Sequence, residues 1–185
     1  MRHRTVFVEE YDPAWPRDFE LLRQRIWPQL ADVALRVEHV GSTSVPGLAA
    51  KPIIDMTAVV ATRDDVPTAV ERLAALGYAH RGNLGIDDRE AFDHPVDLRR
   101  HNLYVCPVGT IGVVNQIAVR DYLRGHPEHA ARYGALKKQL ADQFPDDIDS
   151  YVLGKTDFVL EILRRAGLTA EQIGKIERDN RRLTI

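Results

Sequence analysis

Apolar residues change their spacing several times along the chain, and each change marks an element. Phe19, Leu22 and Ile26 share a helical face within Ala14 to Leu30. Asp12 ahead of them can accept amide hydrogen bonds, and Pro13 suits a first helical position. From Ala34 to Val40 the period becomes two, with Leu35, Val37 and His39 on one side and Arg36, Glu38 and Val40 on the other, which predicts a strand. A small, turn-rich stretch, GSTSVPGLAAKP, leads into Ile53 to Val60, which is apolar on both sides and predicts a central strand. Asp64 to Leu76 reads as a helix closed by Gly77, and Tyr78 to His80 opens another short strand. Gly82 to Asp97 has no period and sets five acids against Arg89, the pattern of a long acidic loop. Asn102 to Cys106 returns to strand. Helices then follow at Asn115 to Gly125, Pro127 to Phe144 and Ser150 to Ala166, with a weaker charged one at Thr169 to Asn180.

Strands in the first two-thirds and helices in the last third predict an α/β (α+β) chain. Its 185 residues suit one domain, here residues 1–168, with 169–185 as a charged helical extension. A net charge of −2 argues against a partner as polyanionic as a long nucleic acid. One cysteine allows no internal disulfide and favours a reducing compartment. The opening residues lack the apolar core of a signal peptide, and the longest uncharged stretch, Tyr104 to Val119, is broken by Pro107, Gly109 and Gly112. The expectation is a cytoplasmic protein without a membrane segment.

Asp55 is the sharpest chemical feature. A carboxylate within an apolar strand is costly unless it is paired, metal-bound, at the mouth of a cleft, or capping a neighbouring loop. Thr57 shares its face. Upstream, Gly41-Ser42-Thr43-Ser44 forms a hydroxyl-rich turn after a strand, which either caps a helical turn or holds a phosphate. Lys155 falls inside the apolar stripe Tyr151, Val152, Phe158, Val159 and Ile162, and Lys137 lies likewise among Tyr133, Leu136 and Leu140. A lysine so placed either lays its stem along the core edge or meets an anion. His39 and His101 stand near strand ends, where they either hydrogen-bond or ligate a metal beside Asp55. Arg100 is either a phosphate clamp or a surface arginine. Gly154-Lys155-Thr156 imitates the end of a phosphate-binding loop, but residue 149 is Asp where Gly is required. His126 and His129 lack a third ligand nearby, and Cys106 reads as a small buried hydrophobe.

The run RVEHVGSTSVPGLAAKPIID, from Arg36 to Asp55, resembles the GrpB family. So do Arg100-His101-Asn102-Leu103-Tyr104-Val105, Arg120-Asp121-Tyr122-Leu123, His126-Pro127-Glu128, Tyr133, Leu136-Lys137, and the trio Tyr151, Lys155 and Phe158, over residues 5–166. The resemblance implies a nucleotidyltransferase-like mixed β-sheet core with a C-terminal helical layer, as in the DNA polymerase β-type superfamily, and some relatives are fused to dephospho-CoA kinase. It implies nucleotidyl transfer to, or other action on, a phosphorylated small molecule, or else a non-catalytic nucleotide-, anion- or protein-binding module. Asp55 is then the catalytic residue. Gly41, Ser42, Thr43, Ser44, Lys51, Arg100, Lys137 and Lys155 would bind phosphate or nucleotide. Asp55, His39 and His101 would hold Mg²⁺ or another divalent metal, with a nucleoside triphosphate as substrate. Glu38, Thr57, Tyr104 and Tyr151 would complete the pocket. The chain departs from the superfamily at Thr57, which replaces the second acid; the Asn102 to Val105 strand also lacks one. Either Asp55 works with an acid from elsewhere, such as Glu38 or Asp97, or the fold has kept its pocket and lost that reaction.

Overall fold

The computed structural model describes residues 5–182. Helix α1 (Trp15–Leu30) leads to strand β1 (Ala34–Val40), a single helical turn at Ser42–Ser44, and strand β2 (Ile54–Val60). Helix α2 (Val66–Ala75) is followed by the short strands β3 (Ala79–His80) and β4 (Glu90–Asp93), then by β5 (His101–Pro107). The remaining chain is helical: α3 (Ile111–Gly125), α4 (Pro127–Gln143), α5 (Ile148–Gly154), α6 (Thr156–Arg165) and α7 (Ala170–Arg182). Asp12 accepts the Ala14 amide at 2.8 Å just ahead of α1.

The sheet runs β1-β2-β5-β4-β3. Strands β2 and β5 pair in parallel, with Asp55 opposite Asn102 and Thr57 opposite Tyr104; the other pairings among the described residues are antiparallel. This is the mixed α+β architecture that the pattern predicts, with β2 inside the sheet.

The pleat divides the sheet into two chemically different faces. Ile54, Met56, Ala58 and Val60 join Leu103 and Val105 against Trp15, Leu22, Ile26 and Leu30 of α1 and Ala69 and Leu73 of α2, forming the main core. Asp55, Thr57 and Val59 point the other way. There Val59 and Cys106 are covered by Val113 of α3, and the start of the strands faces the helical layer. Leu160 and Leu163 of α6 pack on Ile173 and Ile176, so α7 is fastened to the helical layer.

Two expectations are corrected. The acidic stretch 82–97 contains β4, because Ala91 and Phe92 are buried against β5 while charged residues flank them. The helix expected from Ser150 to Ala166 is two helices that meet at Lys155. Gly154, just before that junction, sits so close to Leu140 that a Cβ there would come 2.4 Å from Leu140 Cδ2.

Among the described residues, no helix is long and apolar enough to cross a membrane.

Candidate anion site around Asp55

Asp55 occupies the second position of β2, next to the turn that follows β1. Gly41 makes this possible. Its backbone is at φ +69° and ψ −174°, a region that only glycine adopts readily. A Cβ on it would lie 2.3 Å from Asp55 Oδ2. The other carboxylate oxygen, Oδ1, accepts from Asn102 Nδ2 at 2.6 Å across the parallel pairing.

Three lysines from three segments face this carboxylate: Lys51 before β2, Lys137 on α4 and Lys155 at the α5–α6 junction. Tyr151 supplies a shared aromatic shelf, with the Lys155 ammonium 5.1 Å and the Lys51 ammonium 5.5 Å from its ring centre. The Lys137 ammonium lies 4.7 Å from the Tyr133 ring centre. Lys137 is only 2% exposed, and its Nζ has no hydrogen-bond acceptor among the described residues. Such a buried donor is costly unless something satisfies it.

The electrostatics follow from crowding. Burial pushes the Asp55 carboxyl up, against the opposing effects of the Asn102 hydrogen bond and the lysines. Burial pulls Lys137 well below the usual lysine range, and neighbouring Lys155 adds to the effect. Lys155 is lowered to about 8 by burial and then by Lys51. Tyr104 and Tyr151 are raised to about 12, mainly by burial. One carboxylate thus faces three lysines, and burial and mutual repulsion disfavour the charged form of Lys137 and Lys155.

The structure distributes the other expected residues differently. His39 and His101 lie on the opposite, core-facing side of the sheet from Asp55, which corrects the expectation that they share a metal with it. His39 stacks on Phe19 at 4.6 Å, and its Nε2 pairs with Thr43 Oγ1 at 3.0 Å. His101 donates from Nδ1 to the Arg99 carbonyl at 2.6 Å, so its Nε2 accepts from the Tyr78 hydroxyl at 2.9 Å. Burial lowers both histidines to about 4, so both are neutral at pH 7.

In the Gly41–Ser44 turn, Ser44 Oγ donates to the Gly41 carbonyl at 2.6 Å and Thr43 is engaged by His39, so these two hydroxyls serve the fold. Thr57 donates to Gln116 Oε1 at 2.7 Å. Glu38 is held by Arg36 Nε at 2.7 Å and Arg120 Nη1 at 2.6 Å, which removes it as a second acid. Asp97 is exposed, and so is Arg100, outside the lysine cluster. Tyr104 carries the Arg89 guanidinium 4.8 Å from its ring centre.

The divalent metal implied by the resemblance can be tested against these donors. Asp55 is the one carboxylate at the cluster, its nearest charged neighbours are cations, and the described residues contain no group of three or more His, Cys, Asp or Glu able to hold a metal. The residues present do not fit a protein-held divalent ion.

Sequence pattern alone does not mark Asn102, Tyr133 and Gln116 as site residues. A signal for Asn102 exists, since in a strand starting at His101 it shares a face with Tyr104. The matching of Thr57 with Gln116 needs the tertiary fold.

The family model described as "GrpB protein" matches residues 5–165. "UPF0157 protein YqkA" of Bacillus subtilis is 36% identical over 156 residues, covering 84% of this chain and 46% of its own length. The chain thus spans about half of that relative. "UPF0157 protein BH1888" of Halalkalibacterium halodurans is 39% identical over 171 residues, covering 89% of this chain and 84% of its own. The crystal structure of conserved protein GrpB from Enterococcus faecalis superposes with a TM-score of 0.78 at 38% identity, covering 86% of this chain and 96% of that one.

Proposed function

This chain belongs to the GrpB family, and from that premise we propose that it binds the phosphate of a nucleotide or another phosphorylated small molecule at Asp55, with lysines supplying the charge neutralisation that divalent metals supply elsewhere. The observation that carries this reading is the buried Lys137 Nζ without an acceptor, beside Lys51 and Lys155 and facing one carboxylate. A phosphate oxygen is the complement that the Lys137 amine lacks, and charge-assisted bonds to it are the stronger kind. The strand, Gly-Ser turn and Asp-bearing strand support a nucleotidyltransferase-like reading of the core. A metal-clamped nucleotidyl transfer has no second carboxylate to rest on, because Thr57 and Glu38 are committed to Gln116 and to arginines. The pocket therefore suits binding, with Asp55 as the one carboxylate beside the phosphate.

The test is Asp55→Asn, measured by calorimetry with inorganic phosphate and adenosine triphosphate in the presence of a chelator. Removing the negative charge from a lysine-held anion site keeps or strengthens binding, while the carboxamide oxygen introduced at position 55 still accepts from Asn102. Loss of binding in that variant, or wild-type binding that appears only on adding Mg²⁺, overturns the reading. A transfer assay with α-labelled triphosphates checks the catalytic alternative, which gains support if label appears on an acceptor.

A further inference from the structure

The wall that holds Asp55 has a second side. A cavity of about 550 Å³ opens at the start of β2 and β5, within the range of small-molecule sites and far larger than one phosphate requires. Lys51 and Asn102 line it, and these two side chains also act on Asp55. The cavity and the lysine cluster thus share Lys51, and Asn102 stands between the cavity and Asp55.

Its lining is amphipathic and cationic. Ile53 and Phe92 supply apolar walls, while Arg100 and His94 supply polar ones. Arg81, also in the lining, is committed to Asp93 at 2.7 Å. Arg100 makes no ion pair among the described residues. His94 donates from Nδ1 to the Pro95 carbonyl at 2.8 Å and stacks on His101 at 4.8 Å, which fixes its ring at the cavity wall. An unpaired guanidinium in a cavity of this size is a fork for a second oxyanion.

Building on the phosphate reading above, we propose that the ligand is a bisphosphorylated small molecule of about nucleotide size. One phosphate sits among Lys51, Lys137 and Lys155 beside Asp55. The body of the molecule lies against Ile53 and Phe92, and a second phosphate, on a separate position, meets Arg100. Lys51 borders both ends and couples them.

Calorimetry with adenosine 3′,5′-bisphosphate and adenosine 5′-monophosphate, both with a chelator, tests this on wild type, Arg100→Ala and Lys137→Met. The bisphosphate is expected to bind wild type about tenfold more tightly, and Arg100→Ala to bring that ratio close to one. Arg100 is exposed, so its variant folds. Equal affinities in wild type, or an unchanged ratio in Arg100→Ala, overturn the proposal. If the monophosphate binds in a Lys137-dependent manner but the ratio stays near one, only the two-ended ligand fails. If neither nucleotide nor inorganic phosphate binds wild type, the phosphate reading itself fails.

Discussion

Gly41 stands directly against Asp55, so that the hydrogen on its Cα occupies the place where any other residue would thrust a methyl group into the carboxylate. Gly41→Ala therefore meets two penalties, a backbone conformation reserved for glycine and displacement of Asp55. A loss of about 2–4 kcal/mol of stability is expected, together with weakened phosphate binding. Urea unfolding and calorimetry on the same preparation check both. Wild-type stability in the alanine variant would refute the close approach.

Lys137 carries opposite consequences for stability and binding. Its buried amine lacks an acceptor, so Lys137→Met removes an uncompensated polar group while keeping most of the volume. The unliganded protein should gain about 1–2 kcal/mol, and phosphate affinity should fall by at least about tenfold. Thermal unfolding with and without phosphate reads both. A variant less stable than wild type in the absence of ligand would point to a packing role instead.

The pH dependence has a defined sign. Lys155 is lowered in the folded protein to about 8 from the ordinary lysine value of 10.5. Between those values the unfolded chain binds more protons, so this group makes stability rise with pH from about 8 to 10. The difference in unfolding free energy between wild type and Lys155→Met isolates that slope, because Cys106 and the buried tyrosines, which oppose it above about pH 9 and about pH 10, are common to both chains. Arrival of a phosphate reverses the lysine's preference, so binding at about pH 8.5 should take up protons. Calorimetry in two buffers of different ionisation enthalpy measures this.

Arg120 is tied at three points: Glu38 at 2.6 Å, the His39 carbonyl at 3.0 Å and Asp121 at 2.7 Å. Arg120→Leu leaves Glu38 held by Arg36 alone and takes a donor from the His39 carbonyl, and should cost about 1–2 kcal/mol. Adding Glu38→Gln should return part of that loss. Urea unfolding of the single and double variants closes the cycle, and strict additivity would show that the pair does not interact.

Much of the site is legible because a charged residue breaks an apolar period. Asp55 interrupts a strand, and Lys137 and Lys155 interrupt helical stripes; the structure brings all three together. His39 and His101 mislead for a related reason. They lie near Asp55 along the strands, yet the pleat turns alternate residues away, and odd and even positions of neighbouring strands decide the face. Strand β4 is hidden because just two buried residues, Ala91 and Phe92, sit between charges. Asn102 reaches Asp55 through the parallel pairing of β2 with β5, a matter of topology that local pattern does not encode.

That parallel pairing also governs when the site comes into being. Asp55 and Asn102 are separated by 47 positions, and Lys137 and Lys155 come later still. Closing such long loops is slow compared with local helix formation. A nascent chain that has completed β5 holds the carboxylate and its amide partner but not the two later cations. The complete cluster therefore exists only in the finished fold, and a phosphorylated ligand bound as proposed would be its final fastening, drawing sheet and helical layer together at the point where their charges meet.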